Sequence, residues 1–190
     1  MRAGSQLSFG GDFKQALVHG GEYSKGKRKS LRPISTKKPM HVTLRSSEAV
    51  GKLSFRQTRN LSFIENLLPG VAKKWGIRLY RVSINGNHLH FALKAETCRG
   101  FQNFLRVVSA QVARFVTGAR RGKPFGKRFW DLPAFTRIVE WGKAFSQLCD
   151  YVVQNVLETI GAIEYRPRGR KLKKPNCEAT GPMRRRPLRC

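Results

Sequence analysis

The sequence predicts an α+β domain in which an antiparallel sheet carries helices on one face. Three observations point there. Along the middle of the chain the hydrophobic period switches repeatedly between two residues and about 3.6. An Asn85-Gly86 dipeptide separates two β-rich runs, as a tight hairpin requires. The elements then read in the order strand, helix, hairpin, helix, hairpin, helix, which suits a sheet with helices packed against it.

The first strand is MHVTLRS, residues 40–46, where Met40, Val42 and Leu44 share one face and His41, Thr43 and Arg45 the other. Leu61, Ile64, Leu68, Val71 and Trp75 follow at helical spacing, and Pro69-Gly70 predicts a kink or break in that helix. IRLYRVSI (77–84) and HLHFAL (88–93) form the hairpin around Asn85-Gly86. Phe101, Phe104, Leu105, Val108, Val112 and Phe115 make the stripe of a second helix. Beyond a basic loop at 118–126, PFGKRFW and AFTRIV read as two short strands joined at Asp131-Leu132-Pro133. A final helix runs from about Gly142 to Ile160, with Phe145, Leu148, Val152, Val156 and Ile160 inward and Gly161 as its stop.

Charge divides the chain further. Lys and Arg number 38 against 11 Asp and Glu, a formal net charge of +27. Such a field attracts polyanions, and a nucleic acid gains counterion-release energy by binding it. An anionic membrane surface is the competing partner, but no apolar run approaches the roughly 20 residues of a membrane span. Residues 24–38 hold seven basic residues and no acid, and 166–190 hold ten with only Glu178. Both read as disordered or loosely ordered basic arms, which gives an arm over 1–38, a folded domain over 39–165 and a tail over 166–190. The first 21 residues lack the apolar core of a secretory signal, so a cytosolic, nucleoid-associated protein is expected. Cys98, Cys149, Cys177 and Cys190 are scattered without a C-x-x-C pair, which excludes a zinc knuckle and a disulfide framework.

The most informative residues are Asn87-His88-Leu89-His90-Phe91. On a strand His88 and His90 project from the same side, and Leu89, Phe91 and Leu93 from the other. Two imidazoles one pleat repeat apart can hold one divalent cation, or they can be two histidines on a solvated face. Two ligands do not complete a site. On the last helix, Tyr151 and Asn155 lie close together at the edge of the stripe made by Leu148, Val152 and Val156. If that helix packs on the histidine face, Asn155 can complete a metal shell and Tyr151 can attack a bound phosphate, forming a phosphotyrosine. Otherwise Tyr151 is a boundary aromatic and Asn155 a surface amide.

His19-Gly20-Gly21, the run from His41 to Arg45, the run from Ser83 to His90, and Tyr151-Val152-Val153-Gln154-Asn155 fall in one order along the chain. In these segments the sequence resembles the single-tyrosine HUH transposases of bacterial insertion sequences (the IS200-like family), most closely the REP-associated tyrosine transposases. The resemblance spans about His19 to Gly161. It implies an RRM-like or ferredoxin-like sheet, a Mg²⁺ or Mn²⁺ ion held by His88 and His90 with Asn155 as the further ligand, and Tyr151 as nucleophile. It also implies single-stranded DNA with hairpins from repetitive palindromes as substrate, cut to a 5′-phosphotyrosine and a free 3′ hydroxyl. The chain departs from the family after the tyrosine helix turn, at Val156-Leu157-Glu158-Thr159, and in its tail.

The candidate DNA contacts are basic. Arg120, Arg121, Lys123, Lys127 and Arg128 stand beside Phe125, Phe129 and Trp130; Arg45 sits on the polar side of the first strand; Lys25, Lys27, Arg28 and Lys29 lie in the arm. Cations track a phosphate backbone and aromatic faces stack unpaired bases, although at least one of Phe129 and Trp130 is expected in the core. Two other functions fit the same charge: a non-catalytic binder of DNA or RNA hairpins, and a basic ribosome-associated protein. The oligomeric state stays open between monomer and homodimer.

Overall fold

The structure is a computed structural model describing residues 17–28 and 30–164; Lys29 and the basic tail at 166–190 lie outside the described residues. Five strands form one antiparallel sheet: β1 (Val18–His19), β2 (Met40–Arg45), β3 (Ile77–Ile84), β4 (His88–Ala95) and β5 (Phe135–Ile138), in the order β1-β5-β2-β4-β3. Three helices accompany them: α1 (Thr58–Lys74), α2 (Cys98–Thr117) and α3 (Lys143–Thr159). From β2 to β5 the elements run β-α-β-β-α-β, the ferredoxin-like arrangement, with α3 following.

Alternation decides the layers. Met40, Val42 and Leu44 of β2 and Leu89, Phe91 and Leu93 of β4 are almost fully buried and join Ile64 and Leu68 of α1 and Phe101, Phe104, Val108 and Val112 of α2 in one core. Helices on one face is therefore right for α1 and α2. It does not hold for α3, which packs on the other face. There Leu148 and Val152 cluster with Ala92 and Val139, flanked by Tyr80, Phe145 and Tyr151. The physical reason is that a second apolar stripe needs cover, and the histidine-bearing side of the sheet still offers Ala92 and the β3 edge.

Three further expectations change. First, α1 runs unbroken through Pro69. Pro69 and Glu65, whose carbonyl loses its donor, are both exposed, so the helix sheds that bond on its solvent side while Ile64, Leu68 and Val71 hold it to the core. Second, PFGKRFW is not a strand; β5 alone follows the loop. The edge of β2 is already paired with β5 over Met40–Thr43, and residues 125–130 cross its end instead. Phe129 is buried against Phe55 and Phe125, and the Trp130 indole N–H donates to Ser109 O at 3.0 Å. Third, the N-terminal arm is joined to the domain over its described part. β1 pairs with β5, and the Arg32 guanidinium donates to Ala134 O and Thr136 Oγ1 at 2.7 and 2.8 Å. Gly20 makes this seam possible: its φ is +79° and a Cβ there would sit 2.0 Å from Ala134 O.

Candidate active site

β2 and β4 pair in a register that sets Thr43 opposite His90, Arg45 opposite His88 and His41 opposite Ala92. All of the polar members of these pairs face α3. That helix in turn presents Tyr151 and Asn155, so the four residues expected to meet do share a cleft. It has a volume of about 530 Å³ and is lined by His88, His90, Tyr151, Asn155, Arg45, Thr43 and the turn at Asn85–Asn87, with Glu158 and Thr159 closing one end. The Tyr151 ring stands edge-on to His90 with centroids 5.5 Å apart, and the His88 and His90 rings are 4.8 Å apart.

A network of polar contacts fixes the side chains. His90 Nδ1 lies 3.0 Å from Thr43 Oγ1 and 3.2 Å from His41 Nε2. His88 is held on both sides, with Nδ1 2.7 Å from Asn87 Oδ1 and Nε2 2.6 Å from Asn85 Nδ2. Asn85 is itself buried, its Oδ1 3.0 Å from Ser83 Oγ and 2.5 Å from Thr159 Oγ1. Asn155 donates its Nδ2 to Tyr151 O at 2.6 Å, one turn back along α3. Its Oδ1 is thereby the atom that would meet a cation.

The donor set suits a hard or borderline divalent ion. With the Nδ1 side of His90 engaged by Thr43 and His41, Nε2 is the nitrogen for ligation, as ligating histidines are ordinarily held through their other ring nitrogen. His88 would join His90 only by exchanging the Asn85 amide at Nε2 for the cation; two imidazoles and an amide oxygen would then leave coordination positions for water and phosphate oxygens. Among the described residues no three His, Cys, Asp or Glu form a metal-holding group; a ligand set built on His88 and His90 would have to draw on another kind of donor, such as the Asn155 amide lining the same cleft.

His41 is the residue that sequence reasoning left out of the site. It is 8% exposed, stacks on His90 at 5.4 Å and meets Tyr151 edge-on at 5.7 Å. Burial pushes its imidazole down to about 4, with the nearby Arg137 guanidinium adding to the effect, so it is neutral at neutral pH. Its other side opens on a second cleft of about 670 Å³, shared with Tyr151, Phe135, Arg137 and Gln147. The period-two pattern of 40–46 had already put His41 on the polar face; what was missing was the strand pairing. Thr159 was likewise read as part of a departure, yet it supports Asn85.

The basic candidates divide. Arg45 is exposed at the rim of the cleft, 3.8 Å from Asp131. Lys127 pairs with Glu48 at 2.5 Å. Arg120 lies with Arg59 and Arg114 around Phe115, and Arg128 lines a different cleft with Arg32 and Arg106 on the α2 side. Arg121 and Lys123 are exposed in the same loop, and Lys25, Lys27 and Arg28 are exposed beyond β1, Lys27 resting 3.6 Å from the Tyr23 ring centre. Of the described basic candidates, then, only Arg45 lines the histidine cleft. No helix among the described residues is long and apolar enough to cross a membrane.

No family model matches the chain, and no curated protein matches it. Among solved structures it is similar to a REP-associated tyrosine transposase bound to a REP hairpin, at 12% identity and a TM-score of 0.47, over 69% of this chain and 73% of that one. It is also similar to a protein of Deinococcus radiodurans R1 assigned as a transposase, at 14% identity and a TM-score of 0.40, over 67% and 97% of the two chains.

Proposed function

We propose that the chain is a metal-dependent transposase-type nuclease that nicks and rejoins single-stranded DNA through Tyr151, at hairpins of repetitive palindromes. The observation carrying this reading is the meeting of Tyr151, His88, His90 and Asn155 in one cleft between α3 and the polar face of the sheet.

In the forward step the Tyr151 phenolic oxygen attacks the scissile phosphorus. A P–O bond to the tyrosine forms and the P–O3′ bond breaks, leaving a 5′-phosphotyrosine and a 3′ oxygen that takes up a proton. The phenolic proton passes to solvent. The bond energy is kept in the phosphotyrosine, so a 3′ hydroxyl can reverse the step and seal the strand. His88, His90 and Asn155 would hold Mg²⁺ or Mn²⁺, which when bound stabilises the charge developing on the phosphate oxygens. Arg45 at the rim would bind the adjoining phosphate, and the His90 and His41 rings hold Tyr151 at its approach. The net charge of +27 draws the strand in.

The basic residues around Phe115 and beside α2 lie away from the cleft, which favours one second reading: a hairpin binder without chemistry. Incubating hairpin-bearing single-stranded DNA with the protein and Mn²⁺ separates the two. The expected result is a covalent protein–DNA adduct that Tyr151→Phe abolishes while binding persists. Binding with no adduct from the unaltered protein would leave only the binder.

A further inference from the structure

Three polar atoms, two ring nitrogens and one hydroxyl oxygen, make a closed triangle at the foot of the cleft. His41 Nε2 is 3.2 Å from His90 Nδ1 and 3.3 Å from Thr43 Oγ1, and Thr43 Oγ1 is 3.0 Å from His90 Nδ1. His41 and His90 are both buried, whereas Thr43 is half-buried and lines the cleft, so the facing ring nitrogens have to satisfy each other while the hydroxyl can also turn outward.

Counting protons restricts the arrangement. A neutral imidazole carries one N–H and one lone pair. For His90 to offer its Nε2 lone pair to a cation, its proton must sit on Nδ1, inside the triangle. Thr43 contributes one hydroxyl hydrogen and can accept as well. The two ring nitrogens, 3.2 Å apart, make a hydrogen bond only when one of them is bare; with the proton on His90 Nδ1 that one is His41 Nε2, to which the Thr43 O–H can donate as well. Were the His41 proton on Nε2 as well, two N–H groups would face each other across the 3.2 Å contact. The simplest relief is for the His90 proton to move to Nε2, which removes the lone pair a cation needs.

We propose that His41 is a positioning residue whose bare Nε2 fixes the tautomer of His90 and so sets the readiness of the cation site. It deepens the function proposed above and rests on it for the identity of His90 as a ligand. The same ring stacks on His90 and meets Tyr151 edge-on, so one buried side chain aligns the ligand and borders the nucleophile. Metal-ligating imidazoles are commonly oriented by a carboxylate or a carbonyl on the far nitrogen; here the acceptor is a second imidazole with a threonine between.

The test uses the full chain in three forms: unaltered, His41→Phe, which keeps a ring but no acceptor, and His41→Gln, whose amide oxygen can reach the place of Nε2. Long-range ¹⁵N–¹H NMR of the metal-free protein reads the His90 tautomer, and the spectrum of free Mn²⁺ reads its affinity. The unaltered protein and His41→Gln should show His90 protonated on Nδ1, with Mn²⁺ affinities within about threefold of each other. His41→Phe should shift the His90 proton toward Nε2 and weaken Mn²⁺ binding about 10- to 100-fold, the usual range for losing such a partner. A His41→Phe protein with the original tautomer, or a His41→Gln protein as impaired as His41→Phe, overturns the proposal. Should His41→Phe fail to fold, Thr43→Val removes the hydroxyl at nearly constant shape. It should leave the Nδ1 proton in place through His41 alone, and its loss there would also count against the proposal. If the unaltered protein binds no Mn²⁺, the cation reading fails, while the tautomer of the metal-free chain still decides the role of His41.

Discussion

The two faces of the central sheet use the same strands for opposite purposes. Toward α1 and α2, β2 and β4 present Met40, Val42, Leu44, Leu89, Phe91 and Leu93, a set packed to near-zero exposure. Toward α3 they present His41, Thr43, His88 and His90, buried or half-buried yet joined by hydrogen bonds to one another, to Asn85 and to Asn87. One face buys stability through apolar area; the other gives up that area for a polar arrangement that must be fully paired to be tolerated. A sheet can therefore keep its fold while its chemistry is altered, provided the changes stay on the α3 side.

That contrast is open to measurement. The largest effect expected is on chemistry: His88→Ala or His90→Ala should lower nicking of hairpin DNA by about a thousandfold or more, as for removal of other members of a catalytic unit, with most DNA affinity kept. Loss of binding together with activity would mean that the histidines hold the fold and the two faces are not separable. On the opposite face Phe91→Ala should destabilise the protein by about 3–5 kcal/mol, read from denaturant unfolding. A cost under about 1 kcal/mol would show that the α1/α2 side is not the main source of stability.

A smaller effect concerns His41. The unfolded chain takes up its proton near the usual 6.5, the buried ring only near about 4. Between those values the unfolded state binds more protons. The stability linked to His41 is complete above about pH 6.5 and declines as the pH falls to about 4, by about 3 kcal/mol in all. Unfolding at pH 7 and pH 5 should therefore show a larger acid loss in the unaltered protein than in His41→Gln; equal losses would contradict the buried, neutral histidine. The smallest effect belongs to the exposed loop. Arg121→Ala and Lys123→Ala should each lower the slope of log binding constant against log salt by about 1, without changing nicking at saturating DNA. An unchanged slope would take the loop out of the phosphate contacts.

Much of this was legible in the sequence because alternation is local. The period of two in residues 40–46 and 88–93 separated the faces, and the 3.6-residue stripes located all three helices, the last to within one residue at each end. The site was legible where a motif was short: His88 with His90, and Tyr151 with Asn155. What escaped depends on contacts distant in sequence. His41 joins the cleft only because β2 pairs with β4 across 49 positions, and Thr159 because α3 returns to the Asn85 turn, 74 positions away. PFGKRFW has the aromatic alternation of a strand, but the neighbouring edge is occupied by β5, so its rings go to the core. The arm at 24–38 has the composition of a solvated segment, yet Arg32 and the Gly20 seam tie its surroundings to β5.

The most direct measurement is peptide mapping of the protein–DNA adduct by mass spectrometry, after incubation of hairpin-bearing single-stranded DNA with the full chain and Mn²⁺. The account predicts one modified peptide, carrying a 5′-phosphoryl nucleotide on Tyr151 and released when a 3′-hydroxyl strand is added. A nucleotide found on Tyr80 or another residue, or bound DNA with no adduct, would contradict it.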